Sequence, residues 1–299
     1  MKRFLAAVSA ALLLLFAPAT VAKQPPAPAA SIEARPALWV VKDADTTLYL
    51  FGTIHLLDPK YRWLDGPVRE AFDGAGQLVV ETMTPPTAEA QAIVAKLANN
   101  AAGGPLAARL PRKLAARYTR ELAAAGLPAN ALDRYQPWFA AVTLSMLQYN
   151  KAGMSAESGV DNSLIAAATA ARKPIHPLET FEEQLGFFSA MSEAEQMRFL
   201  TLSLDELTRT PDMIDTLTRA WAKGDIRTLA RVMNKDMRAM PALAKRLLDD
   251  RNARWAGWIE ARLAQPGTVF VAVGAGHLGG PASVQALLAK RGIASTRLQ

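Results

Sequence analysis

An α/β fold is predicted, with a mixed sheet built from both chain ends and a large α-helical insertion between its strands. Three observations carry this. Strand-like runs are few and cluster towards the two ends of the sequence. Residues 87–172 and 180–265 are instead rich in Ala, Leu, Met and charged residues, with apolar positions three and four apart. The strand-like runs are also apolar on both faces in places, which suits a sheet covered by helices.

LWVVK (38–42) and TLYLFG (47–52) flank Asp43-Ala44-Asp45 and read as a hairpin. A short helix, GPVREAFDGA (66–75), precedes the strand QLVVE (77–81). KPIHPLE (173–179) is the next strand, and TVFVAVG (268–274) and IASTRL (293–298) follow, separated by a helix over 281–290. Within the helical stretches, Pro137 opens one helix, and Thr180-x-x-Glu183 and Ser192-x-x-Glu195 have the form of capping boxes. Gly126 and Gly224 sit at breaks.

MKRFLAAVSAALLLLFAPATVA has a basic start, an apolar core too short to span a bilayer comfortably, and small residues before a cleavage point. We read 1–22 as a cleavable signal peptide, 23–36 as a Pro/Ala-rich linker, and 37–299 as one domain. The expected location is periplasmic or secreted, with no stable membrane span in the mature chain. The absence of cysteine excludes disulfides, thiol catalysis and attachment at a lipobox. The net charge of +7 is spread over helices as ordinary mixed surface, without basic clusters interleaved with aromatics, so nucleic acid is not an expected partner.

Of the three histidines, two stand in G-x-x-H directly after an apolar strand, as Gly52-x-x-His55 and Gly274-x-x-His277. Glycine there would let the chain turn sharply and carry each ring to the carboxyl edge of the sheet, where open α/β sheets bind ligands. Glu81 ends the strand 77–81, and an acid in that place needs a partner. Glu179 is a second strand-end acid, or alternatively the N-terminal charge of the helix starting near Thr180. His55, His277 and Glu81 could therefore hold a divalent ion (Zn, Mn or Co) with open positions for water, the basis of metal-assisted hydrolysis. His176 follows another pattern, with a structural or surface role, and Trp138, Trp221, Trp255 and Trp258 read as core. Gly274-Ala275-Gly276-His277-Leu278-Gly279 also fits G-x-G-x-x-G, but the final strand has no acid to hold a ribose, and the dinucleotide reading is rejected. No G-x-S-x-G elbow is present.

ALWVVKDADTTLYLFGTIHLLDP, LVVET, ESGVDNSL, PLETFEEQL, RNARWAGWI and FVAVGAGHLGGP occur in that order over about 37–298, and together they resemble the TraB/GumN family. That family is grouped with the Tiki proteins, haem-binding ChaN-like proteins and erythromycin-esterase-like enzymes. The resemblance implies an active centre of His55, Glu81 and His277, and draws attention to Gly159-Val160-Asp161, Glu179 and Arg251-Asn252. Arg251 could then pair with Glu179 or Asp161, or stabilise an oxyanion. Asn252 could orient a ligand histidine or a substrate carbonyl. The expectation is a metal-dependent envelope hydrolase acting on a peptide or small-molecule substrate, protease-like in cleaving an amide bond. Its rival is a non-catalytic envelope protein that binds haem or a metal, or a partner in polysaccharide export.

Overall fold

The computed structural model describes residues 31–100, 104–207, 210–237 and 239–299. The segment 1–22, read above as a signal peptide, and residues 23–30 lie outside them. Among the described residues there are eight strands: β1 (Ile32–Glu33), β2 (Leu38–Lys42), β3 (Thr46–Thr53), β4 (Tyr61–Arg62), β5 (Gln77–Val80), β6 (Ile175–Pro177), β7 (Gly267–Gly274) and β8 (Thr296–Arg297). Six form one sheet in the order β6-β5-β7-β3-β2-β8. β6, β5, β7 and β3 are parallel, while β2 runs antiparallel to β3 and to β8. The fold is therefore α/β with a mixed sheet whose strands come from both chain ends and whose helices lie mostly between them.

β3 and β7 occupy the middle of the sheet, paired over Thr46–Thr53 and Gly267–Gly274. Their near-continuous apolar character follows, because both faces are covered. One face packs against the helices Gly66–Gly74 and Val160–Ala170 through Phe51, Phe270, Val68, Phe72 and Leu164. The other packs against the helices Asp250–Leu263 and Val284–Lys290 through Leu48, Leu50, Val271, Trp255 and Leu288. A third apolar cluster lies within the inserted helices, where Trp138 stacks on Phe188 between Pro137–Lys151 and Phe181–Ser189.

The hairpin closes as expected, with the Asp43 N–H on the Thr46 carbonyl. Both capping boxes form: Thr180 and Glu183 bond reciprocally, as do Ser192 and Glu195. The linker boundary needs correcting. Residues 31–36 belong to the fold, since Ile32–Glu33 pairs in parallel with Tyr61–Arg62 and the Arg35 N–H reaches the Ala222 carbonyl. Main-chain pairing of this kind leaves no mark in side-chain composition. The last helix starts at Val284 rather than Pro281, because a 3-10 turn (Ala275–Leu278) carries the chain past β7 and Ser283 supplies the cap. No helix among the described residues is long and apolar enough to cross a membrane.

Candidate active site

The four parallel strands deliver four chemical groups to one edge. β3 leads into His55, β5 into Glu81, β6 into Glu179, and β7 through the 3-10 turn into His277. Main-chain bonds continue the β5–β6 pairing to the two acids, the Glu179 N–H donating to the Glu81 carbonyl. A Cβ built on Gly274 would lie 3.1 Å from Glu81 Oε1, 3.6 Å from His277 Cδ2 and 3.6 Å from His55 Nε2. Gly274 thus marks the point where the two histidine loops and Glu81 meet. Its need for glycine is space, as is that of Gly52, whose added Cβ would sit 3.2 Å from the Ala275 Cβ. Neither glycine has positive φ, so the expected sharp turn is replaced by close approach.

The helix Asp250–Leu263 crosses this edge and brings Arg251, preceded by a π-helical turn over Lys245–Asp249 of the kind often found at functional sites. Arg251 Nη2 donates to Glu81 Oε2 at 2.7 Å, and its Nε lies 3.0 and 2.9 Å from the two Glu179 oxygens. Nη1 bonds the Leu247 carbonyl and reaches His277 Nε2 at 3.1 Å. Arg254 adds a second donor to Glu179 at 2.7 Å. Glu81 Oε1 accepts the Gly274 N–H at 2.6 Å, and Gln184 approaches Oε2 at 3.3 Å. Arg251, Glu81 and Glu179 are all buried, so these charge-assisted bonds stand in for lost hydration. Burial opposes ionisation of Glu81, but the Arg251 charge, the histidines and the Gly274 N–H overcome it and hold the carboxyl far below the usual range.

His277 is fixed by Asn252, whose Nδ2 donates to the Ala282 carbonyl at 2.8 Å and whose Oδ1 therefore faces His277 Nδ1 at 2.6 Å. The ring proton sits on Nδ1, and the Nε2 lone pair accepts from Arg251. Burial, with the nearby Arg251 charge and against the pull of Glu81, pushes this imidazole down to about 3. It is neutral at ordinary pH, and its ring lies tilted against Trp255 with centroids 4.4 Å apart.

His55 is differently placed. Its Nδ1 lies 2.8 Å from Asp161 Oδ2, and the Thr53 hydroxyl holds the other Asp161 oxygen at 2.7 Å. Burial lowers the affinity of the ring for a proton, but Asp161, by charge and hydrogen bond, and then Glu81 outweigh this and raise it above 6.5. Asp161 reaches His55 because the helix Val160–Ala170 starts against the loop, with the Val160 N–H on the Ile54 carbonyl. A Cβ on Gly159 would fall 2.1 Å from the His55 carbonyl oxygen, so this entry tolerates only glycine. His55 and Gly274 line a small cleft, partly open to solvent, whose other walls are largely apolar.

All six residues singled out from the sequence, His55, Glu81, Glu179, Arg251, Asn252 and His277, gather here. Of the two acids open to Arg251, Glu179 is the partner, while Asp161 serves His55. Of the two functions open to Asn252, it orients a histidine. His176 is exposed on β6, away from the cluster. The sequence reading missed the Asp161–His55 pairing and the parts taken by Thr53, Gln184, Arg254 and the Gly274 N–H. For Asp161 a signal existed in the Gly159-Val160-Asp161 motif.

A resident ion on His55, Glu81 and His277 fits this arrangement poorly. The Nε2 lone pair of His277 and both Glu81 oxygens are already in use, and the Arg251 guanidinium supplies the positive charge between them. Among the described residues no group of three or more His, Asp or Glu side chains is arranged to hold a metal.

Fold and site together define an α/β protein with a histidine–aspartate pair beside a buried arginine–carboxylate cluster at the carboxyl edge of parallel strands. The sequence profile of the TraB/PrgY/gumN family matches residues 37–297, and the chain belongs to that family. It is similar to an uncharacterized protein of Treponema pallidum (strain Nichols), 24% identical over 275 residues, covering 85% of this chain and 80% of the relative. It is also similar to the uncharacterized protein YbaP of Escherichia coli (strain K12), 24% identical over 260 residues, covering 85% of this chain and 92% of that protein. No solved structure matches the chain significantly.

Proposed function

We propose that the protein is an envelope hydrolase of amide or peptide bonds in which His55 is the general base. The observation that carries this reading is the His55–Asp161 pair: Nδ1–H is committed to a carboxylate, and the ring belongs to the wall of the cleft. A water between Nε2 and a substrate carbonyl would give up its proton to His55 as its oxygen adds to the carbonyl carbon. The imidazolium, stabilised by Asp161, would then hand that proton to the leaving nitrogen. An imidazole raised above 6.5 suits both halves of that exchange.

Arg251, Glu81, Asn252 and His277 are positioning residues in this scheme. They form a rigid, internally neutralised floor beside Gly274 and fix the turn that bounds the cleft. The metal-dependent form of the reading, expected from the two G-x-x-H histidines and Glu81, would require Arg251 to release its partners first. Export from the cytoplasm rests on the leader-like segment 1–22.

The test is digestion of a mixed peptide library by residues 23–299, read by mass spectrometry, beside His55→Ala and Asp161→Asn. New termini with the parent, absent with His55→Ala, support the reading. Cleavage that survives His55→Ala ends it.

A further inference from the structure

We propose that the cleft beside His55 is a recognition pocket for an uncharged aliphatic chain, attached directly to the carbonyl that His55 addresses. This rests on the hydrolase reading and deepens it by naming the substrate class. The pocket is built by residues from three separate parts of the chain: Leu56 beside the histidine, Met154 before the Gly159 turn, and Ile214, Leu217, Leu229 and Met233 on the helices Thr210–Ala222 and Ile226–Met237. Leu56, Ile214, Leu217 and Met233 are only partly buried, so apolar surface stays open to water beside a polar ring. An apolar substituent would cover it.

Charge points the same way. Among the described residues no Asp, Glu, Lys or Arg lines the cleft, whose ionisable side chains are His55 and the Tyr149 phenol. A charged substituent entering there would lose hydration and meet no partner. Aromatic wall is limited to the Tyr149 ring, while methionines and branched aliphatic side chains make up most of the rest, a surface that adapts to a flexible chain. The neighbouring Arg251 cluster is closed off by its own partners and offers no competing anion site.

The probe is a series of straight-chain primary amides, from acetamide to octanamide, titrated into residues 23–299 and followed through the His55 imidazole NMR signals. Those signals are assigned by their loss in His55→Gln. Affinity is expected to rise about three- to fourfold per added methylene until the cleft is full. 6-Aminohexanamide should bind at least tenfold more weakly than hexanamide. Leu217→Trp should abolish the chain-length dependence, and Leu217→Ala should move its plateau to a longer chain. Affinity that is flat with chain length, equal for the charged and uncharged amides, or indifferent to both Leu217 variants overturns the proposal. Because binding is read without turnover, chain-length-dependent binding with no peptide cleavage would uphold the pocket and remove only the hydrolase assignment.

Discussion

His55 Nδ1 and Asp161 Oδ2 lie 2.8 Å apart, joining the loop after β3 to the first turn of a helix far along the chain. The contact fixes which ring nitrogen carries the proton and leaves Nε2 with its lone pair in the neutral ring. Asp161→Asn removes the charge and permits the opposite tautomer. Peptide cleavage is expected to fall by about 10²–10⁴-fold. The His55 imidazole should also titrate at lower pH by NMR, since Asp161 supplies the main upward influence on it. An unchanged titration would show that the pair does not tune the ring.

Gly159 makes this contact possible. Any Cβ there meets the His55 carbonyl, so Gly159→Ala must push the helix start away from the loop. We expect cleavage to drop as far as in Asp161→Asn, with the melting temperature lowered by several degrees. The control is Gly186→Ala, within the helix Phe181–Ser189, where an added Cβ meets nothing within 4 Å. That change should leave activity intact and stabilise the fold by about 0.5–1 kcal/mol. Equal effects of the two substitutions on cleavage would contradict the argument.

Arg251 is the common partner of two buried acids. Arg251→Met strands Glu81 and leaves Glu179 with only the half-exposed Arg254, and should destabilise the protein by about 3–5 kcal/mol. Arg251→Lys keeps the charge but loses the forked geometry that serves both acids at once. Adding Glu81→Gln to Arg251→Met should recover part of the loss. Urea unfolding of the three variants checks this, and additive losses in the double variant would refute the coupling.

The strand-end groups His55, Glu81, Glu179 and His277 were legible because an acid or a G-x-x-H after an apolar run is conspicuous. The parallel sheet then brings those ends together without further information. What Arg251 and Asn252 do was not legible from periodicity, because a mid-helix Arg-Asn pair looks like solvated surface until the helix is laid across the sheet edge. Asp161 stood outside the strand pattern and was visible only through its motif. The hold of Arg251 on His277 Nε2 and one Glu81 oxygen was invisible too, since residue types that bind metals also bind guanidinium. The small β1–β4 pairing is made by main-chain bonds, such as the Ile32 N–H on the Lys60 carbonyl.

Metal removal tests that last distinction. Dialysis of residues 23–299 against a chelator is expected to leave cleavage and melting temperature unchanged. Elemental analysis after loading with zinc, manganese or cobalt and desalting should find well under one ion per chain. Arg251→Ala, which frees His277 Nε2 and a Glu81 oxygen, should raise retained metal. Stoichiometric metal in the parent, lost in His55→Ala/His277→Ala, would restore the metal-dependent reading.

The pH dependence of stability isolates His277. Its folded value of about 3 lies below the unfolded 6.5. Unfolding therefore takes up a proton over that interval, and the stability contributed above pH 6.5 is lost as pH falls towards 3. His55 acts oppositely: its raised value adds stability that is complete below pH 6.5 and fades at higher pH, so it is constant on the acid side. Glu81, depressed from 4.5, contributes fully above that value and loses ground only below it. Between pH 6 and pH 5 the slope thus belongs chiefly to His277, on the order of 1.4 kcal/mol per pH unit at most. Urea midpoints across that interval should fall steeply in the parent and only weakly in His277→Gln, whatever the variant's stability at neutral pH. Parallel slopes would mean that the buried ring is not the group taking up the proton.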